Sequence, residues 1–521
     1  MVLVWLILIP FIAGLLSWQA ELRFGTKYPR WIALAGMLIA SGISIYLWLS
    51  YDYSLPSLVG EAPTWVIEYQ APWIPRLGIS FHFALDGLSI LLILLTNLLG
   101  VMAIICSWRE IDRNVGFFHL NLLWNLGGVV GVFLTLDLFL FFFLWEMMLV
   151  PMYFLIALWG HDTPGGKGKV YAATKFFLFT QASGLVMLLA ILGLVFVNYQ
   201  GTGVITFNYE DLLKTEMSAN VEYILMLGFF FAFAVKTPAV PLHSWLPDAH
   251  SQAPTAGSVD LAGILLKTAA YGMLRFAIPI FPNASAEFAP IAMWLGVAGI
   301  IYAGILVFAQ TDVKRLVAYS SISHMGFVLI GIYAGTEIAL QGVVIQMLAH
   351  GISAGALFIL CGEIYERMHT RDLRKMGGLW SRFPYLPPIM LFFVAASLGL
   401  PGLGNFVGEF LILVGSWNID PIVTIFASTG LIIAAVYSLM LIQRAFHGPS
   451  QTDELPEHLE DLSKRELVML GTLMIIMLWI GLYPQSFLDT SAASMQHVAA
   501  IYATAQPVEA LTAAASNGVT P

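Results

Sequence analysis

The sequence predicts an all-α polytopic membrane protein of about fourteen transmembrane helices. Two inverted five-helix repeats, helices 4–8 and 9–13, form its centre, and helices 7 and 12 are broken. Three observations lead there. The 521-residue chain is 59% hydrophobic and only 11% charged, with a mean hydropathy of +0.82, which no soluble domain of this length shows. Positive residues alternate from one inter-helix loop to the next. Proline and glycine clusters interrupt two apolar runs five positions apart in the helix order, and a repeat of odd length necessarily inverts its topology.

The spanning runs fall at 2–18, 32–50, 86–107, 117–134, 136–158, 171–197, 223–250 (broken), 256–280, 290–310, 313–334, 338–365, 386–416 (broken), 422–446 and 467–483. The first run lacks a basic leader and a small-residue cleavage site, so it reads as a retained helix. The domain division is residues 1–116 with helices 1–3, 117–280 as the first repeat, 281–446 as the second, and 447–521 as the last helix with a short tail. The longest gaps, 51–85, 198–222 and 447–466, leave no room for a large extramembrane domain. Of the 23 Lys and Arg residues, 17 fall in loops after odd-numbered helices, Lys167, Lys314, Arg371 and Lys375 among them. The other side holds Arg76, Lys214 and Arg275. By the positive-inside rule the odd loops are cytoplasmic and both termini periplasmic. The remaining three cations, Lys175, Lys236 and Lys267, lie within the apolar runs.

Composition also narrows chemistry. The two cysteines, Cys106 and Cys361, sit apart in apolar contexts and form no CxxC pair, so they do not supply the four ligands of an iron–sulfur site. No dinucleotide or phosphate-loop glycine motif is present. No His, Cys and carboxylate grouping has metal-ligand spacing, and no cofactor or metal site is expected in this chain. The net charge of −9 is spread over loops without a basic tract, which gives no footing for nucleic acid; the expected surroundings are lipid and other membrane chains.

Six buried ionisable residues are the candidate site. Glu146 lies about nine residues into helix 5, ~14 Å deep at 1.5 Å per residue. A carboxylate there is protonated or paired with a cation, either as a structural lock or as a proton site. Lys236 ends an apolar run just before Pro238, and its charge state would depend on how near Glu146 stands. Lys267 lies near the middle of helix 8 with no acid within one turn. A lysine at that depth costs at least ~2.5–3.5 kcal/mol. Asp260, seven residues earlier, reads equally as a cap or loop anchor or as a carrier. His324 in helix 10, beside Ser320, Ser321 and Ser323, and His350 in helix 11 can relay protons near neutral pH or sit as satisfied core histidines. Glu409 follows the break at Pro401–Gly404, with Asn405 as the expected cap of the second half-helix. Lys175 reads as an access residue or a snorkelling lysine, and 371–375 as a solvated or partner-facing loop.

At these residues the chain resembles a known family. The stretches LWEMMLVPMYFLIALWG, AVKTPAVPLHSWLPDAHSQAPTAGSVDLAGILLKTAAYG, FAQTDVKRLVAYSSISHMGF and LPGLGNFVGEF are similar to the antiporter-like membrane subunits of respiratory complex I, and the similarity extends over nearly the whole chain. The resemblance implies fourteen helices in two half-channels. It implies Glu146 and Lys236 as a charge switch, Lys267 as a central relay, His324 and His350 as the continuing polar axis, and Glu409 as the acid of the outer half-channel. It further implies proton translocation in the bacterial inner membrane, driven by NADH oxidation. NADH, FMN, the iron–sulfur clusters and quinone would be held by partner subunits. Sister antiporter-like subunits are the expected neighbours, and the peripheral NADH-oxidising arm an indirect one. Two rival readings remain: a subunit of a multisubunit Na⁺/H⁺ antiporter, and a passive membrane scaffold whose buried charges only fix packing.

Overall fold

The structure, a computed structural model, describes residues 1–55, 64–162, 168–449 and 460–505. Lys167 and the end of the tail, 506–521, lie outside the described residues. Thirteen described helices are long and apolar enough to cross a membrane. They are α1 (Val2–Phe24), α2 (Pro29–Ser50), α3 (Gly87–Glu110), α4 (Val115–Leu134), α5 (Leu138–Trp159), α6 (Lys169–Thr202), α7 (Ala219–Lys236), α8 (Thr255–Ile280), α9 (Pro282–Phe308), α10 (Val313–Ala334), α11 (Glu337–Met368), α13 (Pro421–Phe446) and α14 (Lys464–Leu482). The broken helix α12 is the fourteenth, in two halves, Leu386–Ser397 and Gly404–Trp417. After α7 the chain leaves the helix and re-enters a short one, Trp245–Gln252. A final helix, α15 (Gln485–Ala505), follows α14.

Breaks occur where the sequence removes backbone donors. Pro238 and Pro241 end α7, and Pro401 with Gly399 and Gly402, both at positive φ, divides α12. A further bend was not expected. α5 turns at Met148, two residues past Glu146. Pro151 explains it, because its ring displaces the carbonyl four residues earlier, that of Met147.

The two halves share a device that their sequences do not advertise. Asp137 caps α5, accepting from the amides of Phe139 and Leu140 at 3.0 Å each. Asp312 caps α10, accepting from Lys314 and Arg315 at 2.8 and 3.1 Å. Each aspartate also bridges to the loop two connections on, at Asn208 and Asp372 respectively. Asn208 and Asp372 in turn cap a short helical turn, Tyr209–Leu212 and Leu373–Lys375. α5 and α10 hold the same place in the two five-helix units, so one clasp is repeated, as an inverted repeat requires.

α8 and α11 are buried along their apolar length, with α3, α4 and α10 packed closely around them. α1, α2, α13 and α14 are mostly exposed and face the bilayer. The gap before α3, read as loop, contains an antiparallel hairpin of β1 (Ile67–Ile74) and β2 (Ile79–Leu85). The alternation of IEYQAPWI was the missed signal: it exposes every second side chain as far as Pro72 and half-buries those between. The Ser80 amide on β2 donates to Asp137 at 2.8 Å, tying the hairpin to the α5 cap.

Arg275, counted above as a loop cation, lies within α8, is buried, and forms an ion pair with Asp86. Asp86 also caps α3 through the Ser89 amide at 2.9 Å and accepts from Ser494 of α15 at 2.8 Å. One carboxylate thus joins α3, α8 and the terminal helix. Asp86→Ala should leave a buried guanidinium unpaired and lower stability by about 3–5 kcal/mol, read as earlier thermal unfolding of the detergent-solubilised assembly. Asp86→Leu with Arg275→Met should recover most of the loss.

Candidate functional site

Lys267 is held in the middle of α8 by a local change of helix type. Residues Leu261–Leu265 form one π-helical stretch and Met273–Ala277 a second, with Lys267 in the α-helical piece between them. Widened helices of this kind misalign carbonyls from the usual ladder. The Lys267 Nζ donates to the Ala262 carbonyl at 2.5 Å and meets His350 Nδ1 at 2.8 Å. Lys267 is wholly buried, and among the described residues no carboxylate stands within 4.0 Å of it. When Lys267 is an ammonium, His350 Nδ1 accepts and its Nε2 carries the ring proton.

His350 leads on to His324, their ring centroids 5.5 Å apart. His324 Nδ1 is 2.7 Å from Glu409 Oε1, and its Nε2 faces the Ser397 and Tyr437 hydroxyls at 3.1 and 3.3 Å. The same Glu409 oxygen accepts from Gln346 at 2.8 Å. The α12 break makes this possible, because it brings Ser397 at the end of one half-helix and Glu409 in the other around a single imidazole. Gly408 allows the second half close to α11; a Cβ there would stand 2.7 Å from the Gln346 amide nitrogen.

The structure therefore joins four of the six candidates, Lys267, His350, His324 and Glu409, in one line through α8, α11, α10 and α12. Glu146 and Lys236 stand apart from that line and are not in contact with each other: no ion pair forms within 4.0 Å. The Lys236 Nζ instead lies 3.7 Å over the Trp145 indole, a cation–π contact worth ~0.5–2 kcal/mol. Glu146 and Asp260 are the anions that act on it. Asp260 caps nothing; it is buried within α8 and accepts from Asn125 of α4. The Glu146 carboxylate rests against Gly184 of α6, where an added Cβ would fall 1.7 Å from Oε1.

Several expectations need correction. Ser320, Ser321 and Ser323 bond backbone carbonyls, not the His324 ring. Asn405 is buried one residue past the start of its half-helix, and Leu403 occupies the cap position without a side-chain bond. Lys175 does not snorkel; its Nζ bonds the Ser244 carbonyl and Asp248 at 2.7 and 2.8 Å. Arg371 is buried, pairs with Asp312 at 3.3 Å and donates to the Ser251 carbonyl. Lys314 is buried too, and donates to the Ala253 carbonyl at 2.5 Å. These two cations cover the carbonyl end of the short helix Trp245–Gln252, where the macrodipole favours positive charge. Arg374, at 73% exposure, and Lys375 are exposed as that loop was expected to be.

Sequence reasoning missed Trp145, Gly184, Gln346, Ser397 and Tyr437, none of which carries an unusual residue type for a membrane helix. It also gave His250 no role. His250 is fully buried, stacked on Phe358 at 4.8 Å, and neither ring nitrogen has a protein partner. Lys314 and Lys267 are the charges that act on it. Nearby, a cavity of about 640 Å³ is bordered by Lys175, His243, Asp248, Gln252 and Arg315.

Residues 135–434 match the sequence family described as NADH:quinone oxidoreductase/Mrp antiporter, transmembrane. The chain belongs to this family. The matched stretch includes all six candidate residues. Among members of the NADH:quinone oxidoreductase/Mrp antiporter family, NADH-quinone oxidoreductase subunit M of Pseudomonas aeruginosa is 66% identical over 96% of this chain and 97% of its own length. Subunit M of Escherichia coli is 63% identical over the same shares. A chain of respiratory complex I from Thermus thermophilus superposes with a TM-score of 0.83 at 31% identity, over 96% of this chain and all of that one. A chain of the Mrp complex from Dietzia matches with a TM-score of 0.80 at 20% identity over 95% and 99% of the two chains, which shows a shared fold.

The Gly184 contact gives a direct test. Gly184→Ala should displace the Glu146 carboxylate without touching any ionisable group. We expect an assembled protein with a several-fold loss of coupled activity, measured against Gly193→Ala on the same helix, whose Cβ meets only a flexible leucine end at 2.8 Å. Equal activity in the two variants would remove Glu146 from the site.

Proposed function

We propose that the chain is a proton-translocating membrane subunit of an NADH:quinone oxidoreductase, carrying protons along Lys267, His350, His324 and Glu409. The observation that carries this reading is the contact line itself: an amine on an imidazole at 2.8 Å, a second imidazole beside the first, and a carboxylate on the second at 2.7 Å. Each group gains or loses a proton with a small change of structure, and consecutive groups can share one. High identity to subunit M from two bacteria favours this over an Mrp-type antiporter.

In the proposed cycle, oxidoreduction in partner subunits alters the charge near Glu146. Lys236 then moves between the Trp145 ring and a closer approach to the acid. The change in field reaches Lys267, which releases its proton to His350 Nδ1. His350 gives up the Nε2 proton towards His324, and His324 Nδ1 delivers one to Glu409. Glu409 Oε2, which has no protein partner, is the outlet. Lys267 is reloaded from the cavity at Asp248 by way of His250. NADH, FMN, iron–sulfur clusters and quinone reside in the partner subunits. The protein sits in the bacterial inner membrane beside sister antiporter-like chains, with both termini on the periplasmic side.

Lysine and arginine at position 267 separate relay from scaffold. Lys267→Arg keeps a buried cation that cannot release its proton; Lys267→Ala removes it. We expect both to lower NADH-driven proton uptake by inverted membrane vesicles by at least about tenfold, a barrier increase of ~1.4 kcal/mol. NADH oxidation with an artificial acceptor, which reports attachment of the peripheral arm, should persist. Normal uptake in Lys267→Arg would leave Lys267 a structural cation.

A further inference from the structure

The outer wall of the molecule carries a feature that proton transfer does not use. α3 is buried except along one stripe, where Leu94, Leu98, Ile105 and Trp108 are partly exposed and Val101 nearly so. These positions follow the i, i+4, i+7, i+11, i+14 spacing of a single helix face. The stripe forms the floor of a groove whose walls are α2 and α14. Two cavities, of about 730 and 460 Å³, lie end to end along it and share Val101.

The ends differ. Beyond Trp31 and Trp108, whose rings meet at 4.9 Å, the groove opens on cations. Arg465 and Lys464 line it, and Arg30 stands close enough to Arg465 for the two charges to act on each other. Arg30 Nη2 donates to the Ile111 carbonyl at 2.6 Å, and an Arg465 Nη2 bonds Glu466 at 3.0 Å. The Nε–H of each guanidinium is buried and has no acceptor. Two buried donors of neighbouring cations, both unspent, mark a place for an anion. Asp112, Glu366 and Glu466 are the local acids, and Glu466 is shared with Arg367 at 2.8 Å.

Below the cations the walls are apolar. Leu98 lies ten residues from Trp108, ~15 Å deeper along α3, which is half the ~30 Å hydrocarbon thickness. We propose that the groove binds one anionic phospholipid, with its phosphate on Arg30, Arg465 and Lys464 and an acyl chain laid along the α3 stripe as far as Leu98. The charge at the head, the tryptophans at the interface and the one-leaflet length of the apolar floor all match that ligand.

The test uses the whole complex, stripped of loosely held lipid in detergent and titrated with spin-labelled phosphatidylglycerol. Arg30→Gln with Arg465→Gln removes two cations, each adding about fivefold to the affinity for an anionic lipid. Binding of one lipid per complex should weaken by about twenty-five-fold. Leu98→Trp keeps the cations and fills the floor, and should lose the same lipid. Spin-labelled phosphatidylcholine should not distinguish parent from variants. Retention of the parental lipid count in either variant overturns the proposal. So does displacement of the lipid by millimolar inorganic phosphate with no effect of Leu98→Trp, which would leave an anion site without a lipid. A photoreactive side chain in place of Leu98 that captures a neighbouring polypeptide and no lipid also overturns it, and needs no loss of charge. None of these readouts depends on proton transfer.

Discussion

An ammonium group in the centre of a bilayer without a carboxylate beside it is the constraint around which this structure is arranged. Lys267 has two neighbours for its charge, one backbone carbonyl and one imidazole. A carbonyl inside a regular helix already holds its amide partner. The π-helical stretch before Lys267 is therefore part of the site, because it alters which acceptors the helix offers on that turn. The imidazole is tied to α11, and α11 is tied to the second half-helix of α12 by glycines that admit backbone contact. The enclosure of α8 by α3, α4, α10 and α11 follows as well, since a lysine facing lipid at this depth would cost the full transfer energy.

The two five-helix units use the same element positions for opposite charges. In the first, the acid is on the second helix of the unit, Glu146 on α5, and the cation is on the broken helix, Lys236 on α7. In the second, the base is on the second helix, His324 on α10, and the acid is on the broken helix, Glu409 on α12. One pair is separated, with an indole against the cation; the other is in contact at 2.7 Å. A pair that changes separation alters the local field by a large amount in a low-dielectric setting. A pair already in contact is suited instead to passing a proton. The asymmetry fits the proposed cycle, in which the Glu146 and Lys236 pair sets the field and the His324 and Glu409 pair conducts.

Much of this was legible in the chain because membranes impose simple rules. Apolar length gave the spans, proline and glycine gave the broken helices, and an ionisable residue in an apolar run could not pass unnoticed. What stayed hidden depended on three-dimensional proximity. Gly184 and Gly408 look like ordinary small residues until another helix is laid across them. Trp145 looks like core. Arg275 and Arg371 were counted as loop charges because they lie near run ends, yet each is buried on an acid from a distant segment. Asn405 follows the glycines at which a cap is expected, but the half-helix starts two positions earlier than that reading needs. The hairpin before α3 was lost for a different reason: its alternation is short and lies in a gap between spans, where loop is the default expectation.

Buried polar atoms without protein partners are rare in folded proteins and need an explanation wherever they occur. Here they occur in several places, the groove at Arg30 and Arg465 among them, and one group of them follows the proposed path. Both nitrogens of His250, His350 Nε2, Glu409 Oε2 and the Asn405 amide lie along or beside the proposed path, between the cavity at Asp248 and the far side of α12. A passive scaffold would gain by pairing these groups with one another or by replacing them with apolar side chains, since each unmet donor or acceptor costs about 1–3 kcal/mol. Partly satisfied polar groups are what a hydrated proton path requires, because a group whose every bond is made to protein has no place for an arriving proton. The incomplete hydrogen bonding of that group therefore supports transport alongside the charges themselves.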